Sequence, residues 1–456
     1  MSRFRIGRSG LFHPDARRET PLLGVRSPQH SPDRKRITLS SVSTSFSTLG
    51  LSPASQQAIA QAGLTLPTPI QTQAIPPALA GQDLIGCAPT GTGKTLAFLV
   101  PAIERLTANP QARALVLTPT RELALQISEQ FGRFARGTRL RSAVVIGGVA
   151  IEPQTRALAG RPELVVATPG RLIDHLESGT VRLDAVRILV LDEADRMLDM
   201  GFAPQLRRIL AKLPKERQTM LFSATMAGEV AAFARTHLRT PVRVQVTPSG
   251  RTSARAEQRA YRVAQAEKDS LLHALLADEP GTSLVFVRTR RRADKLARSL
   301  ERAGHRVGRL HSDRSQGQRR AALEGFRSGK TPILVATDIA ARGIDVENIA
   351  HVVNYDVPHA AEDYVHRIGR TARAERSGRA STFVAPEDQS LLVAIERLTA
   401  ARVPLLEVPR QHPAFVSEDA RRRTAQAHPG PSQPRAAVPT SWRSPGRHAR
   451  THRRRS

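Results

Sequence analysis

Lys94 and Thr95 close a glycine-rich run, APTGTGKT (88–95), which follows one apolar stretch and opens another, LAFLVPAIERL (96–106). Strand, glycine-rich turn, helix is the context a phosphate-cradling loop requires. Gly91 and Gly93 let the backbone wrap closely, so that N–H groups point at phosphate oxygens. The helix start adds the positive end of its dipole. Lys94 then reaches the β and γ phosphates, and the Thr95 hydroxyl a magnesium ion. Ala88 stands where such loops begin with glycine, and Pro89 withholds one N–H. Ala88, Thr90, Gly91, Thr92, Gly93, Lys94 and Thr95 are the candidate ATP-phosphate contacts.

A second cluster of chemistry lies in ILVLDEADRMLDMGF (188–202), where an apolar run ends in Asp192, Glu193 and Asp195. In open α/β sheets ligands sit off the carboxyl ends of strands. Asp192 is suited to hold Mg²⁺, largely through water, because that ion takes oxygen ligands and keeps several waters. Glu193 is suited to orient and deprotonate an attacking water. Alone, the pair reads better as acids gathered at a helix start for its dipole; beside the phosphate loop and the motifs below, the catalytic reading is the better one.

These residues need elements to hold them. The chain has 456 residues, 40% hydrophobic and only 4% aromatic, with a net charge of +29. Its pI of about 11.6 points to a polyanionic partner, nucleic acid before an anionic membrane. No apolar run approaches the roughly 20 residues of a membrane span, and the start MSRFRIGRSGLF has no apolar core of a secretory signal. The single cysteine, Cys87, excludes an intrachain disulfide framework and a multi-cysteine metal site, and fits a cytoplasmic protein.

Continuous apolar runs at 83–88, 113–118, 142–147, 163–168, 187–192 and 219–224, then at 283–288, 306–311, 332–337, 351–356 and 381–386, read as strands of parallel sheets covered on both faces. Helical patterns separate most of them. The expected layout is a disordered basic arm over 1–45, an α/β lobe over 46–247, a linker over 248–257, a second α/β lobe over 258–408 and a disordered Arg-rich tail over 409–456. The first arm has nine basic against three acidic residues, the tail eleven arginines against two acids. ALVLTPTRELALQI and SLVFVRTRRRADKLA both run strand, Thr-Arg turn, helix, which suggests two lobes of one fold type.

LDEAD together with APTGTGKT resembles the DEAD-box family of ATP-dependent RNA helicases, and the resemblance spans about residues 46–408. It implies two tandem RecA-like lobes, ATP and Mg²⁺ as cofactors, and RNA as partner. GLTLPTPIQ (63–71) is similar to the family's adenine-reading motif, which implies Gln71 as base reader, with Phe46 as the upstream aromatic and Leu64 replacing the usual ring. PTRELALQ (119–126), Gly147-Gly148 and TPGR (168–171) resemble RNA-contacting motifs and imply Pro119, Thr120, Arg121, Gly148, Thr168 and Arg171. SAT (223–225) resembles the coupling motif, which implies Ser223 and Thr225, joined by Asp195. LHSDRSQGQRR and ATDIAARGID imply Arg319 and Thr337 for RNA, Arg342 for RNA or interlobe contacts, and Asp345 for the nucleotide ribose. HRIGRTAR (366–373), with Ala372 for the usual glycine, implies His366 as a site residue and Arg367 and Arg370 as arginine fingers. The basic tail looks most like the bacterial RhlE-like subgroup.

The expected activity is RNA-stimulated ATP hydrolysis, in which ATP and RNA close the lobes and a short duplex is locally unwound. The RNA grip is expected on phosphates and 2′-hydroxyls, and few aromatics argue against base-stacking platforms. Ribosomal or RNA-degradation complexes are candidate settings, with a monomeric core and no membrane. Two other readings are a DNA-directed helicase and a non-catalytic RNA-annealing or scaffold protein; intact Lys94 and Glu193 disfavour the latter. The tail, if it grips phosphates, adds salt-sensitive affinity. Deleting it is expected to weaken RNA binding and to flatten the slope of log affinity against log salt by about 0.7 per lost single-strand phosphate contact; an unchanged slope makes it only a solubilising segment.

Overall fold

A computed structural model describes residues 45–416 apart from 90, 227, 247–255, 280, 342–348 and 372–377. The expected arms up to residue 44 and from 417, most of the linker, and Thr90, Arg342, Asp345 and Ala372 lie outside the described residues.

Alternating residues explain why the strand runs are continuously apolar. In β1 (Leu84–Cys87), β2 (Arg113–Leu117) and β5 (Val186–Leu191), Leu84, Val116 and Val190 enter one core, while Ile85, Leu115 and Leu189 enter another. Successive side chains point to opposite faces, and both faces are covered. With β3 (Ser142–Val145), β4 (Leu164–Ala167), β6 (Gln218–Ser223) and β7 (Val242–Gln245) they form one sheet, in the order β3-β4-β2-β5-β6-β1-β7.

The second sheet comprises β8 (Ala256–Arg262), β9 (Ser283–Phe286), β10 (Val307–Leu310), β11 (Ile333–Ala336), β12 (His351–Asn354), β13 (Gly378–Val384) and β14 (Leu405–Leu406). Its order is β10-β11-β9-β12-β13-β8-β14. Counted from its own first strand, this is the permutation of the first sheet. Pairing is parallel throughout both. The matched strand, Thr-Arg turn, helix segments follow β2 and β9, which hold the same place in their sheets. Among the described residues, no helix is long and apolar enough to cross a membrane.

Three strands lack the apolar run that marks the others. β7 alternates in burial at one sheet edge, and β14 is a two-residue exposed edge. β8, AEQRAYR, buries only Ala256, Ala260 and Tyr261. β8 begins two residues before the position 258 expected for the second lobe. The first residues assigned to the tail are also packed. Arg410 makes two hydrogen bonds to Glu267, at 3.0 Å each, Ser270 Oγ donates to the Val416 carbonyl at 3.0 Å, and Phe415 packs on the core around Tyr261 and Leu271. The tail deletion above is therefore cleaner after Val416.

Helix Lys94–Ala108 is buried on most sides. Its Phe98 ring meets Phe222 of β6 with centroids 5.4 Å apart. Gly86 of β1 leaves room for that ring; a Cβ there would come within 2.5 Å of it. Gly86→Ala is expected to destabilise the protein by about 1–3 kcal/mol through overpacking, read as a lower urea midpoint.

Candidate active site

β1 delivers the phosphate loop. Gly93 takes φ +87° at the helix start, and a Cβ there would run into Gln71. A side chain is disfavoured on both counts. Gln71 is buried in the first turn of helix Pro69–Leu79; its Oε1 accepts from Thr68 N–H at 2.9 Å and its Nε2 donates to the Gly93 carbonyl at 3.1 Å. The expected base reader thus braces the phosphate loop. Phe46 is packed in the core with Leu49 and Ile70, and Leu64 is exposed. Thr92 Oγ1 donates to the Pro89 carbonyl at 2.7 Å, and Cys87 Sγ to the Ala224 carbonyl at 3.4 Å.

Lys94 is buried and donates to the Ala88 carbonyl at 2.5 Å. Burial lowers its pKa, while Asp192, Glu193 and Asp195 oppose that shift. β5 brings these carboxylates to the same edge. Burial, and then the neighbouring Glu193 charge, pushes Asp192 up to about 7. Its Oδ1 accepts from Glu193 N–H at 3.0 Å. Glu193 stands at φ +52°, a left-handed conformation that costs a non-glycine residue of order 1–3 kcal/mol and clusters at functional sites.

Asp195 ties this edge to β6. Its Oδ2 accepts from the N–H groups of Ala224 at 3.0 Å and Thr225 at 2.9 Å, and from Thr225 Oγ1 at 3.2 Å; its own N–H donates to Ser223 Oγ at 3.3 Å. Burial alone would raise the Asp195 pKa, but the bonds from Thr225 and Ser223 outweigh it and hold the carboxylate low.

The second sheet contributes His366, Arg367 and Arg370. Arg196, Asp195 and Lys94 of the first lobe all act electrostatically on His366. Arg367 is a correction to the expected pair of fingers. Its guanidinium clasps both oxygens of Asp338, at 2.6 Å each, and donates to Asn354 Oδ1 at 3.0 Å and the Asp356 carbonyl at 2.7 Å, over the Phe286 ring. A guanidinium so fully bonded within its own lobe is a strut. Arg370 is buried in the same lobe, three residues on.

The expected RNA residues occupy the other half of the sheet. Thr120 and Arg121 follow β2, Gly148 follows β3, and Thr168 and Arg171 follow β4. The order β3-β4-β2 before β5-β6-β1 separates them from the phosphate loop and acids. Pro119 sits in the turn before helix Arg121–Phe134, which Thr120 caps by accepting from Leu123 N–H at 3.3 Å. Arg121 lies against Gly147 and Gly148. Arg171 donates to the Val149 carbonyl at 3.0 Å. Thr337 follows β11 and is buried. Arg319 is also buried, paired with Glu122 at 2.7 Å, and Gln316 Nε2 donates to the same carboxylate at 3.2 Å.

Sequence reasoning missed Glu122, Gln316, Asp338 and Arg196. The first three were hidden because their partners lie about thirty to two hundred residues away in the chain. Arg196 had a local signal: it sits three residues after Glu193 on one helical turn. Its Nη1 donates to Glu193 Oε2 at 2.9 Å, with side chains 2% and 9% exposed. Removing one partner of such a pair leaves a buried charge uncompensated, at about 3–5 kcal/mol.

Residues 68–233 match the model of the DEAD/DEAH box helicase family, and residues 267–375 that of the helicase conserved C-terminal domain. The chain is 42% identical over 377 residues to an ATP-dependent RNA helicase, CshA, of Listeria monocytogenes, covering 82% of this chain and 72% of that one. It is 40% identical over 366 residues to the Helicobacter pylori DEAD-box ATP-dependent RNA helicase RhpA, covering 80% and 74%. Among solved structures, Saccharomyces cerevisiae Dbp5 bound to RNA and ADP BeF3 superposes with a TM-score of 0.72 at 29% identity, over 84% of this chain and 99% of that one. The helicase Mss116 bound to ssRNA and UDP-BeF superposes with 0.74 at 26%, over 84% and 83%.

Burial, Arg196, Arg370 and Lys94 together outweigh Asp195 and press His366 down to about 3, from an ordinary value near 6.5. Above pH 6.5 the imidazole is neutral whether or not the lobes meet. Below it, separating the lobes takes away Arg196 and Lys94, which with part of the burial outweigh Asp195, so His366 takes a proton more readily than in the joined lobes. Closure should therefore weaken as pH falls, by up to about tenfold per unit. RNA affinity with a non-hydrolysable ATP analogue, compared between about pH 7.5 and 5.5, should drop more for the parent than for His366→Asn. An equal drop in both removes His366 from the interlobe contact.

Proposed function

This chain belongs to the DEAD-box family of ATP-dependent RNA helicases, and we propose that the edge formed by β1, β5 and β6 is where it hydrolyses ATP to drive its two lobes over RNA. It is an enzyme, an RNA helicase that requires ATP. The observation that carries the site assignment is the burial of Lys94 in the field of Asp192, Glu193 and Asp195.

Asp192 and Thr95 fit a magnesium ion carried with the nucleotide. Both offer oxygen, and no group of three or more His, Cys, Asp or Glu among the described residues could hold a metal by itself. That pattern suits an ion held chiefly by phosphates and water. Thr95 and Asp192 would hold this ion, and its charge would offset that of the phosphates.

The residues of the chain do the rest. Lys94 exchanges the Ala88 carbonyl for phosphate oxygens. Glu193 orients the attacking water and accepts its proton, while Arg196 fixes its carboxylate. Arg370 faces the developing phosphoryl charge from the turn that follows helix Ala361–Ile368, which Arg367 anchors to Asp338. Asp195 transmits the state of this edge to Ser223–Thr225. Thr120, Arg121, Gly148, Thr168, Arg171 and Thr337 grip the RNA backbone, and the contact of Gln316 and Arg319 with Glu122 joins the lobes beside that grip. The RhlE-like placement rests on the core-and-tail layout alone, while the relatives above carry the names CshA and RhpA. A cytoplasmic setting, with ribosomal or RNA-degradation complexes as targets, completes the reading.

Glu193→Gln is expected to lower the RNA-stimulated turnover of ATP by about 10²-fold or more with little change in ATP binding. Unchanged turnover at saturating RNA would reject Glu193 as the base. Matched RNA and DNA oligonucleotides in the same assay decide the polymer: stimulation by DNA equal to that by RNA favours the DNA-directed reading.

A further inference from the structure

At the opposite edge of the first sheet, where β1 and β6 begin, lies a cavity of about 210 Å³ lined by Asp83, Lys215, Arg217, Thr219, His237 and Arg239 among others. It belongs to neither site described above. Each four- to six-residue strand spans about 13–20 Å at 3.3 Å per residue. The cavity is therefore a full strand length from the phosphate loop along β1, and from Ser223 along β6.

Its charge is unbalanced. Three permanent cations and one imidazole face a single carboxylate, Asp83. That carboxylate is already engaged: Oδ1 accepts from Thr219 N–H and Oδ2 from Arg239 N–H, both at 2.7 Å. Arg217 is held by Nη1 donating to the Pro214 carbonyl at 2.7 Å, while its buried Nε has no hydrogen-bond partner among the described residues. Burial lowers the Arg217 pKa, and Arg239 adds to that against the pull of Asp83. Burial, Arg217 and Arg207 likewise keep His237 below its ordinary value. These cations repel one another around a concave, partly desolvated site, and an anion would relieve that repulsion. Arginine's fork matches phosphoryl oxygens. The volume is below the roughly 300 Å³ of sites that enclose drug-sized ligands, so it suits one or two phosphoryl groups without a nucleoside.

We propose that this cavity is a second anion site, which takes a phosphoryl group from a small polyphosphate or from an RNA backbone, independently of the phosphate loop. Lys215 at its mouth reports on occupancy without interference from Lys94. The test is amine acylation of the full chain, read lysine by lysine by mass spectrometry, with inorganic pyrophosphate as one probe. A short single-stranded RNA with a non-hydrolysable ATP analogue is the other, and sodium chloride at equal ionic strength the control. At about ten times its dissociation constant, a bound probe should slow Lys215 labelling about tenfold, leaving Lys212 and Lys330 unchanged. Protection by pyrophosphate identifies a free polyphosphate as sufficient; protection by RNA alone assigns the group to the RNA backbone. Arg217→Ala with Arg239→Ala should abolish the protection and keep RNA-stimulated ATP hydrolysis. Should that double variant lose hydrolysis through misfolding, Arg217→Gln makes the same comparison. The proposal fails if neither probe protects Lys215 beyond chloride, or if protection survives in a folded variant.

Discussion

Lys94 is buried, and an ammonium group so placed needs partners that water no longer supplies. The protein answers with Asp192, Glu193 and Asp195 at the end of the neighbouring strand, and then has to balance those. Arg196 takes Glu193, Ser223–Thr225 take Asp195, and Asp192 is left to burial, which presses it toward the neutral form. The order of charges is not interchangeable. Glu193 and Asp195 are held by a guanidinium and by several N–H groups, whereas Asp192 accepts from the adjacent Glu193 N–H and Lys94 donates to a backbone carbonyl.

The parallel sheet makes this arrangement possible and also divides the labour. Parallel strands send all their carboxyl ends to one edge, so every loop there can meet a ligand. The order of strands then decides which loops are neighbours. Acids and glycine-rich loop sit after β5 and β1 with β6 between them, and the threonines, arginines and glycines proposed to grip the RNA backbone follow β2, β3 and β4. The coupling segment Ser223–Thr225 follows that intervening strand, so Asp195 reaches it with a side chain two atoms long beyond Cβ. Repeating the same permutation in the second sheet gives the two lobes like edges. The contact of Arg319 and Gln316 with Glu122 and the field of Arg196 on His366 bring those edges together.

Much of this was legible in the chain. Eleven strands announced themselves as apolar runs because both faces of the sheets are buried, and two glycine-rich or acidic strand ends marked the chemistry. β7, β8 and β14 escaped because edge or polar strands leave no such run. Phe46 and Gln71 were read by resemblance as base contacts. Their structural settings, a core ring and a brace between Thr68 and Gly93, depend on packing that the sequence does not print.

Arg367 shows the boundary most sharply. By type and spacing it is equivalent to Arg370, two arginines in one motif, each able to face a phosphate. Asp338, twenty-nine residues away, and Asn354 make one of them a strut. Residue types and short-range spacing determined the fold class, the phosphate loop and the acidic strand end, because those depend on local hydrogen bonding and on the period of apolar residues. Which partner each of the equivalent charges finds was decided only by tertiary structure, because in a low-dielectric interior a charge is defined by the nearest opposite charge, and chain folding alone chooses that neighbour.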